Sequence, residues 1–217
     1  MENEEWDLIT AWISSTGSHL SQYMSSHLRP TEKSNEVRQL YFIDATNSFP
    51  LQQFQNLIPY NGEDENKRIY DNIRIITCLE LGELAMVLNK IIQSIQLNKI
   101  KRQKNTTTQS EKPKEGNLNI LIVVNGLETM FRNTRFKENV EVTHSVLRMA
   151  LLKLRILSNE RNGYHLRSLV LFPLEEMKNL STKQLKRLKS SSNRGQNDGS
   201  SVGDYVCKYY VDRVIIM

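Results

Sequence analysis

The sequence predicts an α/β protein, a single domain over residues 1–217 with a mainly parallel central sheet flanked by helices, and three observations carry that expectation. Apolar stretches of strand length recur with helical periods between them. One of them, residues 120–124, is apolar throughout, as a central strand covered on both faces must be. The 217 residues are 39% hydrophobic and 24% charged, enough for one buried core and too apolar for a disordered chain.

In chain order, residues 37–43 are rich in apolar and aromatic side chains and end at Asp44, where the turn-forming Ala45, Thr46, Asn47 and Ser48 follow. Pro50, with its fixed φ, suits the first turn of a short helix whose apolar face is Leu51, Phe54, Leu57 and Ile58. Residues 69–77 alternate as a strand. Leu84, Leu88, Ile91, Ile92 and Ile95 repeat with the 3.6-residue period of an amphipathic helix. Residues 99–117 are rich in Lys, Thr, Gln and Glu and contain Pro113 and Gly116, so they read as a flexible basic insertion. Residues 119–124 form the next strand, and Leu147, Ala150, Leu151, Leu154 and Leu157 mark the helix after it. Residues 166–172 form another strand, stopped by Pro173. A polar, basic, Gly/Ser-rich stretch then runs to about Gly203, and residues 205–216 read as a last strand. No internal repeat is visible.

The net charge is +5, but its distribution says more. Glu2, Glu4, Glu5 and Asp7 make the N-terminus acidic where a secretory signal needs bases, so no signal peptide is expected. Lys178, Lys183, Lys186, Arg187, Lys189 and Arg194 fall within one stretch that holds no acid. Lys99, Lys101, Arg102 and Lys104 form a second cluster. Such asymmetry points to an anionic partner, nucleic acid first, while a solvated lysine-rich segment is the plain alternative. No apolar run approaches membrane-spanning length. Cys78 and Cys207 have no further partners, which excludes a disulfide framework and a cysteine-based zinc site. His19, His27, His144 and His165 lack ligand-type neighbours, so no metal and no cofactor is expected.

Order and spacing add a resemblance. Phe42-Ile43-Asp44-Ala45-Thr46-Asn47-Ser48-Phe49-Pro50 is similar to the strand-end motif of RecA-like recombinases, and Ile120 to Arg132 is similar to their Walker B strand and its exit. The run from Trp12 through Gly17, Ser18 and His19 is the remnant of a phosphate loop. In a working loop, glycines let backbone N–H groups approach the phosphates, lysine meets their charge and a hydroxyl holds magnesium. Here Trp12 stands for the first glycine, Ser18 for the lysine and His19 for the hydroxyl residue; Asn125 replaces the Walker B acid and Thr46 the water-orienting glutamate. Indole bulk at Trp12 is expected to obstruct the phosphate path. The resemblance therefore implies a RecA-like core whose P-loop is degenerate and which does not hydrolyse ATP.

Together with the segments around Leu8–Trp12, Arg68–Arg74 and Tyr205–Asp212, these motifs resemble the smaller RecA-paralogue subunits of the yeast Shu complex. That resemblance implies a nuclear, non-enzymatic protein that forms a heterodimer with a second degenerate RecA-like subunit and works with the remaining Shu subunits. It also implies contact with single-stranded or forked DNA, and with the recombinase and its other paralogues in error-free damage tolerance and homologous recombination, including meiosis. By family position, residues 132–142 and 175–203 would be two DNA loops. The second offers Lys183, Lys186, Arg187, Lys189 and Arg194 to backbone phosphate; the first offers Arg132, Arg135 and Lys137, offset by Glu138 and Glu141. Phe49 is either a staple packed on Gln53 or Phe54 or a partner-binding hydrophobe. Asp44 reads as a turn or capping residue. A protein-docking scaffold without DNA contact and a weak nucleotide-binding regulator remain the other readings.

Overall fold

The centre of the molecule is the strand whose pattern was plainest. β4 (Leu118–Asn125) is buried on both faces from Ile120 to Val124 because helices cover it front and back. The computed structural model describes residues 8–29, 36–106, 118–159, 164–177 and 201–217. Around β4 the sheet runs in the order β3 (Ile73–Thr77), β2 (Val37–Asp44), β4, β5 (Tyr164–Phe172), β1 (Ile9–Ile13) and β6 (Arg213–Ile216). Every pairing is parallel, with Asp44 level with Asn125 and Asn125 level with Leu171.

Two apolar layers sandwich this sheet. On one face α1 (Gly17–Leu28), α2 (Leu51–Leu57) and α3 (Asp64–Asp71) bring Leu20, Met24, Phe54, Ile58 and Ile69 against Leu40, Phe42, Leu121 and Leu169. On the other, α4 (Leu81–Thr106), α5 (Leu127–Lys137), α6 (Val140–Asn159) and α7 (Val202–Tyr209) cover Ile43, Ile120, Ile122, Val124 and Val170. No helix among the described residues is long and apolar enough to cross a membrane.

Several expected elements differ. Pro50 sits at the N-cap position, just outside α2, and of the four residues on the expected face Phe54 and Ile58 are buried while Leu51 and Leu57 are exposed. Ile69 belongs to α3, whose acidic first turn and Arg68 in the last turn suit the helix dipole, so only Ile73–Thr77 is strand. The basic insertion begins inside α4, which continues to Thr106 because Lys, Arg and Gln lose little rotamer freedom in a helix. Residues 107–117 lie outside the described residues. The first candidate DNA loop, 132–142, is helical except at Glu138 and Asn139. The expected last strand is mostly α7: Ser201 caps it by accepting from the Asp204 N–H at 3.1 Å, and Val206 and Cys207 turn inward. Only Arg213–Ile216 pairs with β1.

Candidate nucleic-acid interface

In parallel α/β sheets the loops at the carboxyl ends of the strands carry function, and most of the described residues singled out above gather there. β1 passes through three residues into α1 at Gly17, so strand, short loop and helix follow as the phosphate-loop remnant requires. Ser14 takes a left-handed φ of 58° and donates its N–H to the Phe172 carbonyl at 3.0 Å. Thr16 caps α1 by accepting from the His19 N–H at 3.3 Å. Ser18 and His19 are exposed. Trp12 does not stand in the loop mouth as expected. Strand alternation turns it toward α1, where it is 6% exposed and packs on Tyr23 with centroids 4.9 Å apart. The start of α2 lies against α1 instead, the Ser21 hydroxyl donating to the Pro50 carbonyl at 3.4 Å.

Asn125 and Thr46 meet in one network. Buried Asp44 accepts at Oδ1 from the Thr46 N–H at 2.9 Å, the Thr46 hydroxyl at 2.9 Å and Asn125 Nδ2 at 3.0 Å, and at Oδ2 from the Ser48 N–H at 2.6 Å. The Asn125 amide also reaches Thr46 Oγ1 at 2.9 Å and Ser48 Oγ at 2.7 Å. Asp44 is thus the acceptor that holds the turn after β2, and Asn125 ties that turn to β4. Phe49, at the end of this turn, is half-buried and packs edge-on against Phe42 at 5.0 Å and on Phe54 at 5.9 Å. The contact with Phe54 is the one the staple expects, and the part of Phe49 that stays open leaves the partner-binding assignment standing beside it.

Two of the three basic residues of the first candidate segment are engaged by acids. Arg132 donates to Glu176 at 2.7 Å and Lys137 pairs with Glu80, while Arg135 is exposed. Between the two lies Phe136, 89% exposed. Glu176 closes a single helical turn, Leu174–Glu176, after β5, and its backbone carbonyl accepts the Ser201 hydroxyl. Gly203 fits here because a Cβ would lie 2.7 Å from that carbonyl and 2.6 Å from Met177 Cε. One turn before Arg132, Glu128 is 6% exposed and its Oε2 has no hydrogen-bond partner. Burial raises its pKa above the usual carboxylate value; Glu176 adds to this and Arg132 opposes it. Lys183, Lys186, Arg187, Lys189 and Arg194 lie outside the described residues.

Sequence reasoning missed Glu128, Glu176, Ser201 and Phe136. Only Ser201 carried a local sign, the Ser-x-x-Asp pattern of a helix start. Among the described residues no group of three or more His, Cys, Asp or Glu could hold a metal ion.

Six parallel strands in this order, helices on both faces and loop-to-helix junctions at the carboxyl ends of the strands make the chain an α/β protein consistent with a RecA-like core. Residues 9–211 match the family model described as "Shu complex component Csm2, DNA-binding", and the chain belongs to that family. It is 42% identical over 217 residues to Chromosome segregation in meiosis protein 2 of Saccharomyces cerevisiae, covering 98% of each chain. To the protein of the same name from Candida glabrata it is 34% identical over 220 residues, with 97% of this chain and 96% of that one covered. The Kluyveromyces lactis protein of that name is 26% identical over 194 residues, covering 80% and 88%.

Proposed function

We propose that this chain is a non-enzymatic, nuclear subunit that binds single-stranded or forked DNA through the candidate loop 175–203 and pairs with a second degenerate RecA-like subunit. The pair would work with the remaining Shu subunits to stabilise recombinase filaments, in contact with the recombinase and its other paralogues, during homologous recombination and error-free damage tolerance. The observation that carries the non-enzymatic part is the Asp44 network. An acid placed to hold magnesium needs open lone pairs, and the Asp44 carboxylate already accepts four donors. Ser18 supplies no charge for a phosphate, and Asn125 points its amide donors into the network. These residues do not fit a magnesium nucleotide.

DNA contact rests on the six bases between residues 178 and 194 together with the family membership. A docking scaffold without DNA contact is the second reading, and the exposure of Phe136 favours it. Both are tested by replacing Lys183, Lys186, Arg187 and Lys189 with Ala. If they meet phosphates, the dependence of log affinity on log salt flattens by up to about 3 units for a single strand, alike for every sequence. An unaltered slope and affinity, with the protein folded, would promote the scaffold reading.

A further inference from the structure

α4 and α6 lie side by side on one face of the sheet and run the same way, since each returns the chain to the start of a parallel strand. Lys153 Nζ donates to Asn89 Oδ1 at 2.9 Å across the seam between them. The side of each helix turned toward the sheet is buried, as a 3.6-residue period requires, but the outward side is apolar as well. On α6, Met149, Leu152 and Ile156 follow at spacings of three and four, and on α4 Met86 and Leu97 lie three turns apart on one side. Ile156 is 66% exposed and Met86 59%. Met86 and Met149 each stand about one turn before the Asn89–Lys153 contact, so the two outward stripes are level.

Charge on these helices has one sign. Glu83 is the last acid of α4 and Glu141 the last of α6, and every charged residue that follows in either helix is a base. Lys90 and Arg148 are exposed, and Arg155 is held by Asp212 at 2.8 Å. By helical rotation Lys90 stands on the side of α4 away from Asn89, and Arg148 on the side of α6 away from Lys153. Cations therefore border an apolar floor on both sides, with Lys153 between.

We propose that the furrow between α4 and α6 is a docking site for an acidic amphipathic helix of a partner protein. Its apolar stripe would lie along Met149, Leu152 and Ile156, with Asp or Glu set against Lys90, Arg148 and Lys153. The site is separate from the loops assigned to DNA and does not depend on that reading. A nucleic acid would meet the cations but leave the Met, Leu and Ile side chains in water. A second copy of this chain would bring the same bases against these. Neighbouring helix axes stand about 8–10 Å apart, and the furrow they leave seats one further helix, while methionine adapts to its side chains.

The experiment measures anisotropy of a fluorescein-labelled peptide of about five helical turns, with Leu at the spacing of one helix face and Glu on both flanks, against the full chain. A scrambled peptide of the same composition and a peptide with Lys in place of Glu are the controls. The ordered acidic peptide is expected to bind saturably at micromolar concentration, at least about tenfold tighter than either control. Leu152→Glu and Ile156→Glu, both at exposed positions, are each expected to weaken it by about tenfold. Arg148→Glu, which removes no apolar contact and keeps the test open should the others not fold, is expected to weaken it about two- to fivefold and to tighten the lysine peptide; thermal melts check the fold of each variant. Absence of saturable binding, equal binding of the scrambled peptide, or an affinity that Ile156→Glu and Arg148→Glu leave unmoved overturns the site. Phosphatidylserine vesicles and a labelled single-stranded oligonucleotide run alongside: if Ile156→Glu releases either of these and not the peptide, the face serves a membrane or a nucleic acid and the proposal falls. If the peptide binds only after Glu2, Glu4, Glu5 and Asp7 are replaced by their amides, the chain's own acidic N-terminus fills the furrow, and the outside partner is overturned.

Discussion

His27 shows how a single side chain on this surface is committed to the fold. Its Nε2 lies 3.2 Å from the Gln39 carbonyl, which the neutral ring meets as a donor. Burial, with the Arg38 and Arg167 charges adding to it, pushes its pKa down to about 4 from an ordinary 6.5. A depressed value means that the native protein prefers the neutral ring. The stability it contributes is fully present above pH 6.5 and is lost as pH falls through about 4. Between pH 7.5 and pH 4 the wild type is expected to lose about 3 kcal/mol more than His27→Gln, read as the gap between their urea-denaturation curves. Parallel curves across that range would show the ring titrating normally. The two thiols are removed from chemistry by the same burial, which pushes Cys78 up to about 11 and Cys207 up to about 12.

Junctions between elements set the geometry of the candidate interface, and the tightest is the turn from β4 into α5. Gly126 holds a φ of 76°, and a Cβ there would meet Thr46 Cγ2 at 2.8 Å and Ala45 Cβ at 2.9 Å. Gly126→Ala therefore meets both a disfavoured backbone and a steric clash with the turn that Asn125 secures, and is expected to lower stability by about 2 kcal/mol; a melting temperature equal to wild type would show that the turn yields freely. β4 itself was legible because burial on two faces removes every polar option from Ile120 to Val124. The Asp44, Thr46 and Asn125 positions were legible too, because local turn chemistry and motif spacing place them at strand ends. α7 was not. Tyr205, Val206 and Cys207 have the aromatic and β-branched composition of a strand, and the Ser201 cap and inward Val206 outweigh it. The tail of α4 was missed for the opposite reason, since straight-chain polar residues read as loop although they propagate a helix. The Arg132–Glu176 contact joins residues 44 apart and leaves no local pattern to read.

Across the whole molecule, strand position decides what a substitution does. Ile122 lies in β4, fully buried beneath the helices of the larger core, whereas Ile75 lies in β3 at the edge of the sheet and is 53% exposed. Removing side-chain atoms from a closed layer leaves a cavity that its neighbours cannot fill. Ile122→Ala is thus expected to cost about 2–5 kcal/mol in chemical denaturation. At the edge the same apolar side chain adds little packing and lies along an open row of backbone donors and acceptors, the arrangement that invites another strand. Ile75→Lys is expected to leave stability within about 0.5 kcal/mol of wild type, because the lysine stem can cover the surface the isoleucine covered. It should also reduce concentration-dependent self-association of the isolated chain, measured by light scattering, since a charge on an edge strand opposes pairing with another copy. If Ile75→Lys unfolds the protein, β3 is held by packing that the isolated sheet edge does not account for. If scattering is unchanged while the fold survives, self-association proceeds through another face, with β6 and its exposed Ile216 at the opposite edge as the next surface to charge.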